Sequence, residues 1–345
     1  MTSFDLIKVS LTSAVCCALL LWPVRGILRK AGFIDVPNLR SSHKVNTVRG
    51  GGIAIVCVLI AATFMLWPSV RGICTGFQLP VLALALVSLC DDLYSVSPKT
   101  RIVVHAMVAA VALHFLFFRG AGLQRGNSWA TALYLGLSFL WLVGFTNAFN
   151  FMDGVNGMAA FQATVTGMGI VILGNAAGVS FGHPAMLIGA VLSGAAAGFL
   201  PYNFPNATMF MGDVGSASIG FVLAFITIWL ASGRAWWVAL ALCCLQANYL
   251  FDTVLTLLRR LIRREPIQEA HRDHFYQLLV RAGWSHARVT LVEMFLQVTV
   301  LIALVIAARV DKTAVVVACF SVMCLWLIFF AFAKCVFEKH KNGIA

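Results

Sequence analysis

The chain has 345 residues, of which 61% are hydrophobic and only 11% are charged. Because a soluble domain carries about 25% charged residues, this composition excludes an ordinary soluble protein and predicts a membrane protein. The net charge of +12 does not indicate a nucleic-acid partner, since the basic residues lie between apolar runs and form no continuous basic domain. It favours a sided membrane topology and an anionic substrate instead.

Apolar runs of roughly 20 residues, enough to cross a bilayer, recur along the whole chain. They predict an all-α polytopic membrane protein with eleven transmembrane helices in one domain, 1–345. The predicted spans are 4–24, 51–70, 78–95, 101–118, 129–150, 157–177, 184–203, 214–232, 235–258, 289–309 and 313–334. The first run could be a signal peptide, but it lacks a basic leader beyond Lys8 and a small-x-small cleavage site, so we expect a retained helix. The ten Cys show no CxxC spacing, which favours packing over disulfides or zinc.

Lys and Arg are distributed unequally between the two sides of the predicted helices. The side that holds 25–50, 91–101, 259–288 and the C-terminal tail carries 18 of them, and the other side carries seven. The positive-inside rule therefore predicts that the first side is cytoplasmic, with the N-terminus outside and the C-terminus inside. Most acidic residues lie on the same side, and the opposite side has only Asp5 and Asp311. The cytoplasmic set is Asp35, Asp91, Asp92, Asp153, Asp213, Glu265, Glu269 and Asp273.

Three stretches give this face a polar centre. "SLCDDLYSVSPKTR" places Asp91 and Asp92 at the end of the third span, and "NATMFMGDVGS" places Asp213 just before the eighth. "NAFNFMDGVNG" puts Asn147, Asn150 and Asp153 at i, i+3 and i+6, so they share one arc if helical.

Four carboxylates near membrane depth would repel one another unless a cation joined them. A set made up of oxygen ligands indicates Mg²⁺ or Mn²⁺. The alternative is that acids at helix ends merely meet water, which we expect for Asp35 and Glu265.

Two further stretches suit an anion. The loop 259–288 has seven Arg and three His, and His271 and His274 could share one face of a short helix. Zinc pairs on helices are usually i, i+4, so imidazole and guanidinium groups here favour a diphosphate, although a basic loop also satisfies the positive-inside rule. "DVPNLRSSHKVNTVRGGG" offers Ser41, Ser42, Arg49 and the N–H groups of residues 50–52 at the start of a membrane helix.

From about residue 35 to 290, these five stretches in this order resemble the polyprenyl-phosphate N-acetylhexosamine-1-phosphate transferases, the group of WecA, TagO, WbpL and MraY. The resemblance implies transfer of a sugar 1-phosphate from a UDP-N-acetylhexosamine to undecaprenyl phosphate, with Mg²⁺ or Mn²⁺, on the cytoplasmic face of a bacterial inner membrane. "RSSH" and "HRDHFYQ" look most like the WbpL-type enzymes, which start O-antigen or exopolysaccharide synthesis.

The resemblance also implies roles for single residues. Asp213 matches a metal ligand, and Asp91 and Asp92 match the acidic pair that binds metal or activates the lipid phosphate. Asp153 matches a catalytic carboxylate. The substrate-binding set is Arg49, Asn147, Asn150, Gly154, Asn156, His271, Arg272 and His274.

Two departures from the family pattern stand out. Asn156 replaces the second Asp of the common DG-x-DG, so an amide that cannot act as a base stands there. Asn46 and Val48 replace prolines of the common "PTPRGGG", which alters only loop stiffness. A transporter for an anionic solute and a non-catalytic scaffold are the alternative functions, but a transporter would place polar groups near the midplane. The sequence does not identify the sugar, and it leaves open whether the protein forms a homodimer. It also does not decide between direct attack by the lipid phosphate, which we favour, and an aspartyl intermediate.

Overall fold

A computed structural model describes residues 2–37, 45–66, 71–94, 96–120, 128–232, 236–266 and 271–343. Ser41, Ser42 and Glu269 lie outside the described residues. The elements are α1 Ser3–Lys30, β1 Ile34–Asp35, β2 Thr47–Arg49, α2 Gly52–Leu66, α3 Arg71–Tyr94, α4 Pro98–His114 with a π-helical turn Phe115–Gly120, α5 Ser128–Phe151, α6 Met158–Ala176, α7 Pro184–Asn203, β3 Met209–Phe210, α8 Asp213–Ala231, α9 Trp236–Cys244, α10 Ala247–Ile262, α11 Phe275–Arg281, α12 His286–Val310 and α13 Lys312–Lys341.

The prediction of an all-α polytopic membrane protein is confirmed. Within the described ranges, nine helices are long and apolar enough to cross a membrane, and α9 with α10 forms a bent pair that would make a tenth. Helix α2 is also apolar, but its 15 residues are fewer than the roughly 20 that cross a bilayer. The predicted spans 51–70 and 235–258 fall on α2 and on the bent pair, respectively.

Helix α8 is the centre of the bundle. In its most apolar stretch 94% of the residues are buried, against 22% in α1 at the periphery. It packs against α2, α3, α5 and α9, while α1 packs against α7. In the α1–α7 contact, a Cβ on Gly194 or Gly198 would collide with the backbone of Ser10 or Ala14. Such close backbone approach is how membrane helices gain packing energy where lipid offers no hydrophobic drive.

Two glutamine side chains lie at the bend of 70° between α9 and α10 and hydrogen-bond to its backbone. Gln297 Nε2 donates to the Leu245 carbonyl at 2.5 Å, and Gln246 Nε2 donates to Thr227 Oγ1 at 2.7 Å and the Leu242 carbonyl at 3.1 Å. A break in a membrane helix is tolerated where freed backbone groups find such partners. The bend gives α10 a direction of its own, and α10 carries Asp252 and Arg260.

A small sheet fixes the start of α2 against the start of α8. Strand β2 pairs antiparallel with β1 and parallel with β3, which sets Arg49 opposite Phe210. The N–H groups of Gly50 and Gly51 donate to the Phe210 carbonyl, and that of Gly52 donates to the Met211 carbonyl. The expectation that residues 50–52 offer these groups to an anion is therefore wrong, because β3 and the turn after it already accept them.

Candidate functional site

Asp213, the first residue of α8, lies at the centre of a cluster of charged side chains. Its Oδ1 contacts Arg49 Nη2 at 2.7 Å, and its Oδ2 contacts Arg101 Nη1 at 3.2 Å. The Asn150 amide donates to Oδ2 at 3.5 Å, and Ser216 Oγ donates to Asn150 Oδ1 at 2.9 Å. A carboxylate at this position is also favoured by the dipole of α8.

Each of these arginines reaches a second carboxylate in the last turns of α3. Arg49 Nη2 lies 2.8 Å from Asp92 Oδ1, and Arg101 Nη1 lies 2.8 Å from Asp91 Oδ2. The side chains thus form a continuous series, Asp92–Arg49–Asp213–Arg101–Asp91, which we call the carboxylate–arginine chain. Burial would lower the pKa of Arg49, but the Asp213 and Asp92 carboxylates outweigh burial and raise the pKa.

The backbone before α8 leaves room for this arrangement. Gly212 has a φ of 75°, and a Cβ on it would lie 2.9 Å from Asp92 Oδ2. The side chain of Asp92 is only 1% exposed. A larger residue at 212 would therefore meet both backbone strain and a buried carboxylate.

The turn 151–157 follows Asn150, which contacts Asp213, and itself contacts α11. Helix α5 ends at Phe151, so Asn147 and Asn150 are helical, whereas Asp153 lies in the turn and does not continue the predicted arc. Burial, with the charge of Asp213 as the next cause, raises the pKa of Asp153 to about 8. Tyr276 of α11 donates its hydroxyl to the Phe151 carbonyl at 3.0 Å, and a Cβ on Gly154 would collide with that hydroxyl.

Asn147 and Asn156 make their contacts away from the carboxylates. Asn147 Nδ2 donates to the Val143 carbonyl at 2.7 Å within its own helix. Asn156 Nδ2 donates to the Pro205 carbonyl at 3.1 Å, and the Asn156 carbonyl accepts from Thr290 Oγ1 at 2.8 Å. Asn156 therefore ties the turn to the α7–α8 loop and to α12.

The two predicted histidines meet, but not on a helix, because α11 begins only at Phe275. The His271 and His274 rings stack with centroids 5.0 Å apart. Burial, followed by the charges of His274 and Arg260, lowers the pKa of His271 to about 4. Nη2 of Arg272 is buried and makes no hydrogen bond with the described residues. Since a buried guanidinium nitrogen needs an acceptor, Arg272 is suited to an anion.

Sequence reasoning missed three contributors. Arg101 was counted only as a topological charge, and Ser216 carried no local signal. Asp252 lies inside a predicted span, yet its carboxylate contacts His274 Nδ1 at 2.9 Å. An acidic residue within an apolar run is the signal that could have found it.

The acidic cluster has some of the features of a divalent-cation site. Its ligands are carboxylate oxygens, which suit Mg²⁺ or Mn²⁺. Among the residues that the structure describes, however, no group of three or more His, Cys, Asp or Glu is arranged to hold a metal ion. The two guanidinium groups lie between the carboxylates. The carboxylate oxygens are suitable ligands for a hard cation. The negative charge that such a cation would neutralise is balanced by Arg49 and Arg101 in this structure.

Asp153→Asn should change the pH dependence of stability. The pKa of Asp153 rises from 3.8 to about 8 on folding, so the folded state retains a proton that the unfolded chain releases. The free energy of unfolding should then fall as pH rises across this window, and the neutral amide removes that loss. We expect the Tm of the variant minus that of the parent to increase by about 2 °C or more from pH 5 to pH 8.

The measurement is thermal unfolding in detergent with EDTA. Glu338→Gln is the control, because Glu338 is exposed and pairs only with Lys334, four residues earlier, at 3.7 Å. A Tm difference for Asp153→Asn that stays constant or shrinks towards pH 8 would contradict the raised pKa of Asp153.

Comparison with known proteins identifies the family. Residues 74–231 match Glycosyl transferase family 4. The probable undecaprenyl-phosphate N-acetylglucosaminyl 1-phosphate transferase of Bacillus subtilis (strain 168) is 27% identical over 278 residues, covering 78% of this chain and 75% of the relative. The decaprenyl-phosphate N-acetylglucosaminephosphotransferase of Mycobacterium tuberculosis (strain CDC 1551 / Oshkosh) is 28% identical over 324 residues, covering 84% and 79%.

A third relative has a slightly higher sequence identity, and the match covers most of its length. The phospho-N-acetylmuramoyl-pentapeptide-transferase of Moorella thermoacetica (strain ATCC 39073 / JCM 9320) is 30% identical over 323 residues, covering 83% of this chain and 93% of the relative. The matched family region, 74–231, contains Asp91, Asp92, Asp153 and Asp213. The chain belongs to glycosyl transferase family 4, the polyprenyl-phosphate N-acetylhexosamine-1-phosphate transferases.

Proposed function

We propose that the protein transfers an N-acetylhexosamine 1-phosphate from a UDP-sugar to undecaprenyl phosphate and releases UMP. The observation that carries the proposal is the carboxylate–arginine chain, which gathers three acids and two guanidinium groups where α3 ends and α4 and α8 begin. The family relatives named for transfer to polyprenyl phosphates support the same activity.

The reaction brings two anions together. An oxygen of the lipid phosphate attacks the phosphorus that carries the sugar, a new P–O bond forms, and the bond to the UMP phosphate breaks. UMP leaves with the electron pair of that bond. Positive groups must offset this repulsion, as in other phosphoryl transfers. Arg49 and Arg101, which contact the three carboxylates, and Arg272, whose buried Nη2 makes no hydrogen bond with the described residues, are proposed to supply this positive charge.

Mg²⁺ is the proposed cofactor, and Mn²⁺ is an expected substitute. Asp213 would hold it with oxygens of Asp91 or Asp92, and the bound cation would neutralise charge on the diphosphate. Asn150 donates to Asp213 and would keep its carboxylate oriented. Asn147, Gly154 and Asn156 are proposed to bind substrate through the turn 151–157.

Asp153 is proposed as the proton acceptor for the lipid phosphate. Its pKa of about 8 lies close to the working pH of a bacterial cell, where a general base is most effective. His271, with its pKa lowered to about 4, is neutral at that pH. Together with His274 and Arg272 it would contact the donor diphosphate by hydrogen bonding. We propose direct attack by the lipid phosphate without an aspartyl intermediate.

The reaction site is proposed to face the cytoplasm of a bacterial inner membrane. The described contacts join the start of α4 and α8 to the end of α3 and α5, and these are the ends that carry most Lys and Arg. A cytosolic UDP-sugar and a membrane lipid could both reach such a face. The product would begin a lipid-linked O-antigen or exopolysaccharide.

The activity is tested with the purified full chain, undecaprenyl phosphate and radiolabelled UDP-N-acetylhexosamines, including the 6-deoxy sugars. We expect a labelled lipid product and UMP in Mg²⁺, loss of turnover in EDTA, and recovery on adding Mg²⁺ or Mn²⁺. Transport of label into proteoliposomes without a lipid product would favour the transporter alternative. Full turnover in EDTA would contradict the metal proposal alone.

Asp213→Asn should lower kcat by at least about 100-fold, because it removes the carboxylate that joins both arginines and would hold the cation. Glu265→Gln is the matched control: Glu265 pairs with Arg260 at 3.1 Å and lies outside the carboxylate–arginine chain. We expect Glu265→Gln to stay within about threefold of the parent. Equal rates for the two variants in the transferase assay would refute the assignment of Asp213.

Cysteine labelling tests the proposed orientation. Arg263 lies at the end of α10 on the site face, and Lys312 begins α13 at the opposite face; both are exposed. An impermeant maleimide should label Lys312→Cys in intact cells and Arg263→Cys only after the membrane is opened. The reverse pattern would invert the topology.

A further inference from the structure

Asp252, in the middle of α10, is a fully buried carboxylate that the proposed reaction does not use. It is 0% exposed. Its Oδ1 lies 2.9 Å from His274 Nδ1 and accepts from the Phe275 N–H at 3.1 Å, and its Oδ2 accepts from the Tyr276 N–H at 3.4 Å. Thr256 Oγ1 adds a contact at 3.2 Å. A charge buried in a membrane domain persists only with such partners.

The contact with His274 has a chemical consequence. In a neutral imidazole one nitrogen carries the proton, and the hydrogen bond made by that nitrogen decides which one it is. A carboxylate can only accept, so Asp252 requires the proton of His274 to be on Nδ1. Nε2 is then the nitrogen left to meet another group.

His274 also contacts residues close to the proposed reaction site. Its ring stacks on His271, and it lies 6.2 Å from the Phe151 ring at the start of the turn that carries Asp153. Tyr276, held by Asp252 through its N–H, donates its hydroxyl to the Phe151 carbonyl. A shift of the Asp252 carboxylate would therefore move the histidine pair relative to that turn.

We propose that Asp252 is a positioning residue, which holds His274 in the Nδ1-protonated tautomer and presents Nε2 to the diphosphate of the UDP-sugar. The second half of this statement rests on the proposed function. The other acid of the segment, Asp273, differs in kind, because it contacts the guanidinium groups of Arg260 at 2.5 Å and Arg281 at 3.3 Å. Asp273 stabilises the loop through ion pairs, whereas Asp252 determines which nitrogen of the His274 imidazole carries the proton.

The first measurement uses the unmodified full chain, labelled with ¹⁵N-histidine and held in nanodiscs. Its NMR spectrum, with the His274 signal identified by its loss in His274→Gln, should show the proton on Nδ1. A proton on Nε2 in the parent protein would overturn the proposal without any variant at Asp252.

The second measurement compares Asp252→Asn with Glu293→Gln. Glu293 is an equally buried carboxylate, 1% exposed, on the neighbouring α12, and its Oε1 makes no hydrogen bond with the described residues. Asp252→Asn can donate to Nδ1, so the His274 signal should move towards the Nε2-protonated tautomer, and kcat/KM for the UDP-sugar should fall about 10- to 100-fold. Glu293→Gln should leave the His274 signal unmoved.

The outcomes separate the two proposals. An unchanged tautomer in folded Asp252→Asn, or the same change in Glu293→Gln, would overturn the role of Asp252. A parent protein that gives the Nδ1 signal but transfers no sugar phosphate from any donor would overturn the proposed function and, with it, the presentation of Nε2 to a diphosphate. The assignment of the tautomer to Asp252 would then still stand on the NMR comparison.

Discussion

A carboxylate at the edge of a membrane domain needs a positive partner, and Asp213 has two. Arg49 and Arg101 each contact one of its oxygens and one further acid. An unpaired charge is costly where little water reaches it, so each of these carboxylates needs a positive partner at all times. Lipid gives apolar helices little drive to pack against one another in one particular register. Charge pairing supplies that constraint, because it requires the ends of β2, α3, α4 and α8 to meet at one level.

Hydropathy and charge distribution are sufficient to predict most of the helices and the face where the polar residues gather. They do not predict the bend between α9 and α10, since "LCCLQAN" contains no Pro or Gly. The bend is stabilised by the amide groups of Gln246 and Gln297, which donate to the Leu242 and Leu245 carbonyls at the break. The prediction that the N–H groups of residues 50–52 bind an anion was wrong because their partners are distant in the sequence. Their acceptors, Phe210 and Met211, lie some 160 residues away in sequence.

The residues of the candidate site also divide into those that the sequence predicts and those that it does not. Asp91, Asp92 and Asp213 could be found because acids beside apolar runs stand out from their surroundings. Arg101 could not be assigned, because a basic residue at a helix start on the side richer in Lys and Arg satisfies the positive-inside rule without further explanation. Asn156 shows the converse limit, since its position in the family motif says nothing of its bond to the Pro205 carbonyl. The role of a polar residue depends on the partner it meets, and local sequence does not contain that partner.

Asp213 and Asp252 show how the same side chain gives two kinds of site. Asp213 is 19% exposed and is held by arginines that are themselves 30% and 36% exposed, on long flexible side chains. Asp252 is 0% exposed and is held by backbone N–H groups and one imidazole. A guanidinium can turn to another anion, and a new cation can take its place, without moving the backbone. The N–H groups of Phe275 and Tyr276 belong to the first turn of α11, so their positions are fixed by the backbone. The carboxylate–arginine chain is therefore suited to exchanging partners, and Asp252 to keeping one geometry while that exchange occurs.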